Sequence, residues 1–283
     1  MPEVTEIAII SQYLADKIIG KQMTKFEILG GRYSHQKLQG LDLVKFPTKI
    51  VNVDSKGKFM WMELENGIYL MNTFGLTGMW DFDKDSMGNN VRIKITLSGG
   101  IEIYYGDQRN FGTLQFTDSV DVLNKKLNSL GPDLLKTNMT YNDFKDRIKN
   151  AKKSMNDCPI VSVLMEQTKK GIGSGLGNYL SPEILYDAKI SPHRKLSSLS
   201  DNDIKKLYKS IRFVVKLAYY DNDYLEKKPS KNKLKDYLND VDISGSNFSF
   251  NVYRKDKDPL GNDIVKDNIV GTRTTYWVPS VQK

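Results

Sequence analysis

The amino-acid sequence predicts an α+β protein: a helix, a run of antiparallel strands, a set of helices and a closing β-hairpin. Three observations carry that reading. Near the N-terminus Ile7, Ile10, Leu14 and Ile18 recur at roughly helical steps. Residues 26–117 read as strands with no helix between them, which implies antiparallel pairing and a β-sandwich covered by the first helix. Beyond Leu130-Gly131-Pro132, whose Gly-Pro step breaks secondary structure, the apolar spacing becomes helical.

Taken in order, Asn66-Gly67 separates two apolar runs, 58–64 and 68–71, and marks a hairpin. Val91, Ile93, Ile95 and Leu97 alternate with polar residues, and 98–100 then turns into Ile101, Ile103 and Tyr105. Thr140 and Asp143 have the spacing of a capping box, opening a helix to about Lys153. Pro159–Lys170 reads as a helix carrying Ile160, Val163, Leu164 and Met165 on its apolar side. A second apolar face is formed by Leu180, Ile184, Leu185 and Ala188. Ser200 and Asp203 start a further helix with Ile204, Leu207, Ile211, Val214 and Leu217 on one face. Residues 221–247, rich in Lys, Asp and Asn, read as a solvated loop. Residues 250–254 and 269–278 read as two strands around a turn at 258–262.

Composition narrows the class. A chain of 283 residues, 39% hydrophobic and 27% charged, suits a globular protein with two cored domains. No apolar run has the length of a membrane span, and no basic-then-apolar leader opens the chain. A single cysteine, Cys158, excludes an internal disulfide and fits a reducing compartment. With only His35 and His193 beside it, a Cys/His zinc site is not expected, and no metal or cofactor is implied. A net charge of +8 points to a polyanionic partner.

Residues 171–178, GIGSGLGN, separate the two central helical segments. Glycines so closely spaced call for a positive φ or a close approach to a bulky neighbour. A Gly-rich turn feeding a helix N-terminus is also an anion site, because unpaired N–H groups point outward there. At the other end of the chain, Pro2 suits the first turn of a helix and the acids after it suit the dipole.

The 171–178 segment resembles the helix–two-turn–helix element of the Fpg/Nei family of DNA glycosylases (formamidopyrimidine-DNA glycosylase and endonuclease VIII). In that family the asparagine of G-[LVI]-G-N grips a DNA phosphate, the role implied for Asn178. Pro2, Glu3 and Glu6 match the family's P-E-x-x-E, and residues 106–112 match its D-x-R-x-F-G loop. The resemblance implies that removal of the initiator methionine frees the Pro2 amine. An α-amino group titrates at about 7.7–8.0, against about 10.4 for lysine. A useful fraction is therefore an unprotonated nucleophile able to attack a sugar C1′ and form an iminium, with Glu3 moving protons.

Other roles follow from the same resemblance. Lys58, which alone reads as a solvated lysine opening a strand, matches a lysine that contacts phosphate and assists elimination. Leu76, which alone reads as core, aligns with the residue that fills the space left by a flipped base. Arg109 and Phe111, alone a solvated arginine beside a core ring, match the arginine that pairs with the orphaned base and the ring that wedges into the stack. Arg273 matches an arginine at the tip of the C-terminal finger.

That finger departs from the family's usual four-cysteine zinc site, for residues 248–283 contain no Cys or His. Val252, Tyr253, Ile269, Tyr276 and Trp277 are the apolar residues available to hold it. The resemblance is to the zincless-finger, endonuclease VIII-like subgroup, which includes homologues of large DNA viruses. The implied organisation is an N-terminal catalytic β-sandwich domain over 1–130, a helix–two-turn–helix domain over 131–247 and a zincless hairpin over 248–283. The implied activity is removal of oxidised pyrimidines, hydantoins and formamidopyrimidines from double-stranded DNA, with β,δ-elimination at the abasic site. The implied protein is an intracellular monomer working where the DNA is, in nucleus or cytoplasm, without contact with a membrane. Two alternatives stay open: an enzyme preferring oxidised purines such as 8-oxoguanine, and a non-catalytic damaged-DNA-binding module.

Overall fold

The computed structural model describes residues 2–221 and 234–283. The described residues fall into two compact units: Pro2 with 6–128, and 3–5 with 129–221 and 234–283.

The first unit contains helix α1 (Val4–Ile18) from Glu6 onward, and Ile7, Ile10, Leu14 and Ile18 are all buried. Eight strands follow: β1 (Gln22–Ile28), β2 (Thr48–Lys56), β3 (Phe59–Leu64), β4 (Ile68–Thr73), β5 (Met79–Asp81), β6 (Val91–Leu97), β7 (Glu102–Gly106) and β8 (Thr113–Thr117). Their spatial order is β5-β7-β6-β1-β2-β3-β4-β8, and every neighbouring pair is antiparallel. The β1–β2 junction is narrow, with Gln22 opposite Lys49 and Met23 opposite Thr48. The two halves fold face to face across it as a sandwich. Phe26 of β1 meets Phe116 of β8 edge-on at 5.4 Å, and Trp80 of β5 donates to Asn72 of β4. The hairpin at Asn66-Gly67 forms as the sequence predicts, with both residues at positive φ (68° and 72°) and Leu64 opposite Ile68. A short helix α2 (Val120–Ser129), absent from the sequence reading, follows β8.

In the second unit, α3 (Tyr141–Met155) opens on the Thr140–Asp143 capping box, complete in both directions although the last position is Asp. The next helix, α4, runs only Ile160–Met165, not to Lys170. Glu166 turns extended (ψ 117°), and the Gln167 amide takes over the local backbone groups. Its Nε2 donates to Met165 O (2.7 Å) and Leu176 O (2.8 Å), and its Oε1 accepts from Gly175 N–H (2.8 Å). Side-chain competition for the backbone ends the helix. Helix α5 (Leu180–Ala188) stops at left-handed Lys189 (φ 57°), and α6 (Asp201–Asp221) starts at the reciprocal Ser200–Asp203 pair.

Two expectations are amended. Where the chain is described, residues 234–247 form neither helix nor strand and are mostly exposed, as a solvated loop should be, but the loop is anchored rather than free. Leu234 and Leu238 are buried, Arg212 of α6 pairs with Asp240, and Lys216 donates to Leu238 O (3.0 Å) and Val241 O (2.6 Å). Residues 222–233 lie outside the described part. The C-terminal strands are also differently placed. The hairpin is β9 (Val265–Val270) and β10 (Arg273–Trp277), while 250–254 is not a strand. The N–H groups of Asn251, Val252 and Tyr253 all donate to the Glu183 carboxylate, and Arg254 takes φ 58°. A backbone whose donors converge on one side chain cannot run a sheet ladder.

Candidate functional site

Pro2 precedes α1 and is buried, and the three residues after it are held by the two-turn segment. Glu3 is fully buried, and its Oε1 accepts from Tyr179 N–H at 2.9 Å. Val4 N–H donates to Gly175 O at 3.0 Å, and the Thr5 and Tyr179 hydroxyls lie 2.8 Å apart. Glu6, also buried, follows one helical turn after Glu3. Of the four clustered glycines only Gly175 has a left-handed φ (117°), and a Cβ there would lie 2.5 Å from the Val4 Cβ. Gly171 and Gly173 instead answer crowding, by Glu166 and Leu134.

The expected outward row of N–H groups is instead buried, and three of them are bonded inside the protein. Residues 171–177 are buried. The N–H groups of Gly171, Ser174 and Gly175 bond Thr168 O, Pro132 O and Gln167 Oε1. The acceptor at the entry to α5 is the protein's own Glu3 carboxyl, at the positive end of the helix dipole. Asn178, half-buried, is the polar side chain this segment offers, and its Nδ2 donates to Thr274 O at 3.3 Å. Sequence reasoning missed Gln167, which templates these turns, and Arg147, whose Nη2 supports Gly171 O (2.8 Å) and Lys169 O (3.3 Å). No composition or spacing signal marks either.

The Asn178–Thr274 bond sets the phosphate-binding candidate of the two-turn segment beside the neighbour of Arg273. Arg273 is exposed and begins β10 just after the turn at Gly271 (φ 57°). The hairpin rests on a small core of Val252, Ile264 and Val278, with Tyr186 and Tyr276 against it. Of the five residues expected to hold it, Val252 is in that core, Tyr276 packs on it and Trp277 caps His193 edge-on at 5.2 Å. Carboxylates do the remaining work. Glu183 accepts four bonds, from Asn251 N–H and Nδ2, Val252 N–H and Tyr253 N–H, at 2.8–3.1 Å. Burial pushes its carboxyl above the usual range, and those bonds oppose the shift. Asp267 accepts from His193 Nε2 (2.8 Å) and Trp277 Nε1 (2.7 Å), first His193 and then Trp277 holding its carboxyl below the usual range. Among the described residues no three His, Cys, Asp or Glu side chains converge to hold a metal ion.

In the first unit Lys58 is half-buried and is the second residue of a two-residue turn. Lys56 pairs with Phe59 across it, and Gly57 supplies the positive φ (56°). It precedes β3 and does not open it. The three candidate wedge residues occupy two touching loops. Leu76 is half-buried in the turn between β4 and β5, and exposed Arg109 and Phe111 lie between β7 and β8. Phe111 is 57% exposed and is not core. A Cβ on Gly75 would lie 2.6 Å from Phe111 and Gly112 backbone atoms, so the loops meet because Gly75 has no side chain. Gly78 and Gly112 likewise make room for the buried Tyr105 hydroxyl.

The signatures of the formamidopyrimidine-DNA glycosylase N-terminal, H2TH and C-terminal domains match residues 1–114, 130–227 and 239–283. Formamidopyrimidine-DNA glycosylases of Pelotomaculum thermopropionicum and Prochlorococcus marinus strain MIT 9301 are 26% and 28% identical to the chain. Each alignment covers the whole chain, and 99% and 100% of the relative. The crystal structure of MutM (Fpg) from Thermus thermophilus shares the fold with a TM-score of 0.75 at 23% identity, covering 99% of this chain and 98% of that one. Lactococcus lactis Fpg, solved bound non-covalently to DNA containing an abasic site, gives 0.74 at 21% identity and 99% coverage of both. Three domains of one family match in the same order along nearly the whole length, and the chain belongs to the formamidopyrimidine-DNA glycosylase family of DNA base-excision repair enzymes.

Proposed function

We propose that this protein is a bifunctional DNA glycosylase and abasic-site lyase whose nucleophile is the Pro2 amine, formed once Met1 is removed. The amine attacks C1′ of the damaged nucleotide, and the glycosidic bond breaks as the base leaves as its anion and takes a proton from water. Glu3 takes the amine proton and returns one to O4′ as the sugar opens to the iminium. Loss of a C2′ proton then expels the 3′ phosphate, and a second elimination expels the 5′ phosphate. Hydrolysis of the remaining iminium restores Pro2 and leaves a one-nucleotide gap. Glu6 shares the acidic N-terminal motif, and Lys58 assists elimination from the phosphate side. Asn178 and Arg273 grip backbone phosphates, while Leu76, Arg109 and Phe111 fill the vacated stack.

The observation that carries this reading is the Tyr179 N–H bond to Glu3, which fixes the acid covalently adjacent to Pro2. The absence of Cys and His from residues 248–283 favours the zincless, endonuclease VIII-like subgroup, and with it oxidised pyrimidines and hydantoins as substrates. The relatives' own name, formamidopyrimidine-DNA glycosylase, adds formamidopyrimidines to that set, and oxidised purines such as 8-oxoguanine are the second reading. The protein is expected to act as a monomer in the reducing compartment that holds the DNA. Among the described residues no helix is long and apolar enough to cross a membrane.

The test is borohydride trapping on duplexes carrying one thymine glycol, one 8-oxoguanine or one abasic site, with Pro2→Gly in parallel. An adduct mapped by mass spectrometry to the Pro2 nitrogen establishes the nucleophile, and the relative rates on the two bases decide the substrate. No adduct on any of the three duplexes overturns the lyase assignment.

A further inference from the structure

Asp107 is 2% exposed yet lies in the loop that carries exposed Arg109 and Phe111. Its own backbone is fixed, since its N–H donates to Asn90 O (3.0 Å) and its carbonyl accepts from Arg92 Nε (2.9 Å). Its carboxylate joins two loops. Oδ1 accepts from the Thr77 hydroxyl (2.5 Å) and from Arg109 N–H (3.2 Å), and Oδ2 accepts from Gly112 N–H (2.7 Å). The Thr77 hydroxyl in turn accepts from Arg109 N–H at 3.0 Å. Thr77 follows Leu76, and Gly112 follows Phe111. One buried anion thus fastens the backbone neighbours of all three wedge candidates.

We propose that Asp107 is a positioning residue that makes Leu76, Arg109 and Phe111 enter the base stack as one rigid body. The inference rests on the wedge reading given above. A wedge must hold a base step open against restacking, and loops ordered only on insertion would lose part of that work to conformational entropy. A buried network with every member satisfied removes that cost in advance. Asp107 touches no substrate and acts through the two loops it joins.

An abasic site, presented in a duplex and in a single strand, separates this role from general stability, because only the duplex has a stack to open. 2-Aminopurine opposite the site reports unstacking. Asp107→Asn is expected to slow duplex cleavage about tenfold, the scale of one lost charge-assisted hydrogen bond, and to abolish the fluorescence rise. Single-strand cleavage should stay within about twofold of wild type, on the same scale. Thr77→Val, which deletes only the bridging hydroxyl, should slow the duplex reaction in the same sense and decides the matter where Asp107→Asn does not fold. In a Leu76→Ala, Arg109→Ala, Phe111→Ala background the Thr77 and Asp107 effects should vanish. Equal slowing on both substrates, or none on either, overturns the proposal. Wild-type duplex cleavage by the triple variant would instead show that the wedge reading itself had failed.

Discussion

The Tyr179 N–H donates to Glu3 Oε1 at 2.9 Å, so the acid beside the candidate nucleophile is oriented by the backbone at the entry to α5. Glu3→Gln keeps an oxygen in that place and removes the ionisable proton carrier. Base excision should fall by roughly 10²–10⁴-fold, the usual worth of positioned acid–base catalysis. Borohydride trapping on a preformed abasic site, where the aldehyde needs no base to leave, should fall far less. Equal losses in the two assays would remove Glu3 from the base-release step.

Gly175 joins the N-terminus to the two-turn segment through its carbonyl, under a left-handed φ and with Val4 against its Cα. Gly175→Ala should cost about 1–3 kcal/mol from backbone strain alone, and more as Val4 is pushed aside. Denaturant unfolding reads the stability. Activity should fall beyond the unfolded fraction, because Val4 is two residues from Pro2; a stable, fully active variant would contradict this.

Arg273 is exposed at the start of β10 and is a candidate phosphate contact. Affinity for duplex DNA should fall linearly on a log–log plot against salt, and Arg273→Ala should reduce the slope by about 0.9. An unchanged slope would place Arg273 off the DNA.

Asp267 is held below the usual carboxylate range by His193 and then Trp277. A lowered folded value means that its contribution to the hairpin is complete above the unfolded value of about 3.9 and fades as acid brings the pH down through the folded value. The Trp277 indole N–H resonance should report this titration. His193→Ala should raise its midpoint, and an unmoved midpoint would show that the contact does not form in solution.

EDTA should leave cleavage unchanged, since the hairpin rests on Val252, Ile264 and Val278. Ile264→Ala should instead destabilise it by about 2 kcal/mol or more. Loss of activity on chelation would mean that a metal is needed.

Class and order of parts are legible before the chain folds. Alternation over 91–97 is readable because a strand has period two, and the Asn66-Gly67 hairpin because those residues accept positive φ without strain. The Thr140 and Ser200 caps were legible because both partners lie three residues apart. Residues 2–6, residues 106–112 and the GIGSGLGN segment carried the resemblance because their spacing is local. What tertiary structure alone decided is everything that depends on distant partners. Helix α4 stops at Met165 because the Gln167 amide reaches Gly175 and Leu176, and 250–254 is not a strand because Glu183 collects its donors. Asp107 and Thr77 are thirty residues apart, and no periodicity relates them. Hydrogen bonds at that separation form only once the sandwich has brought two loops together, and so only the folded chain shows that the two loops share the Asp107 carboxylate.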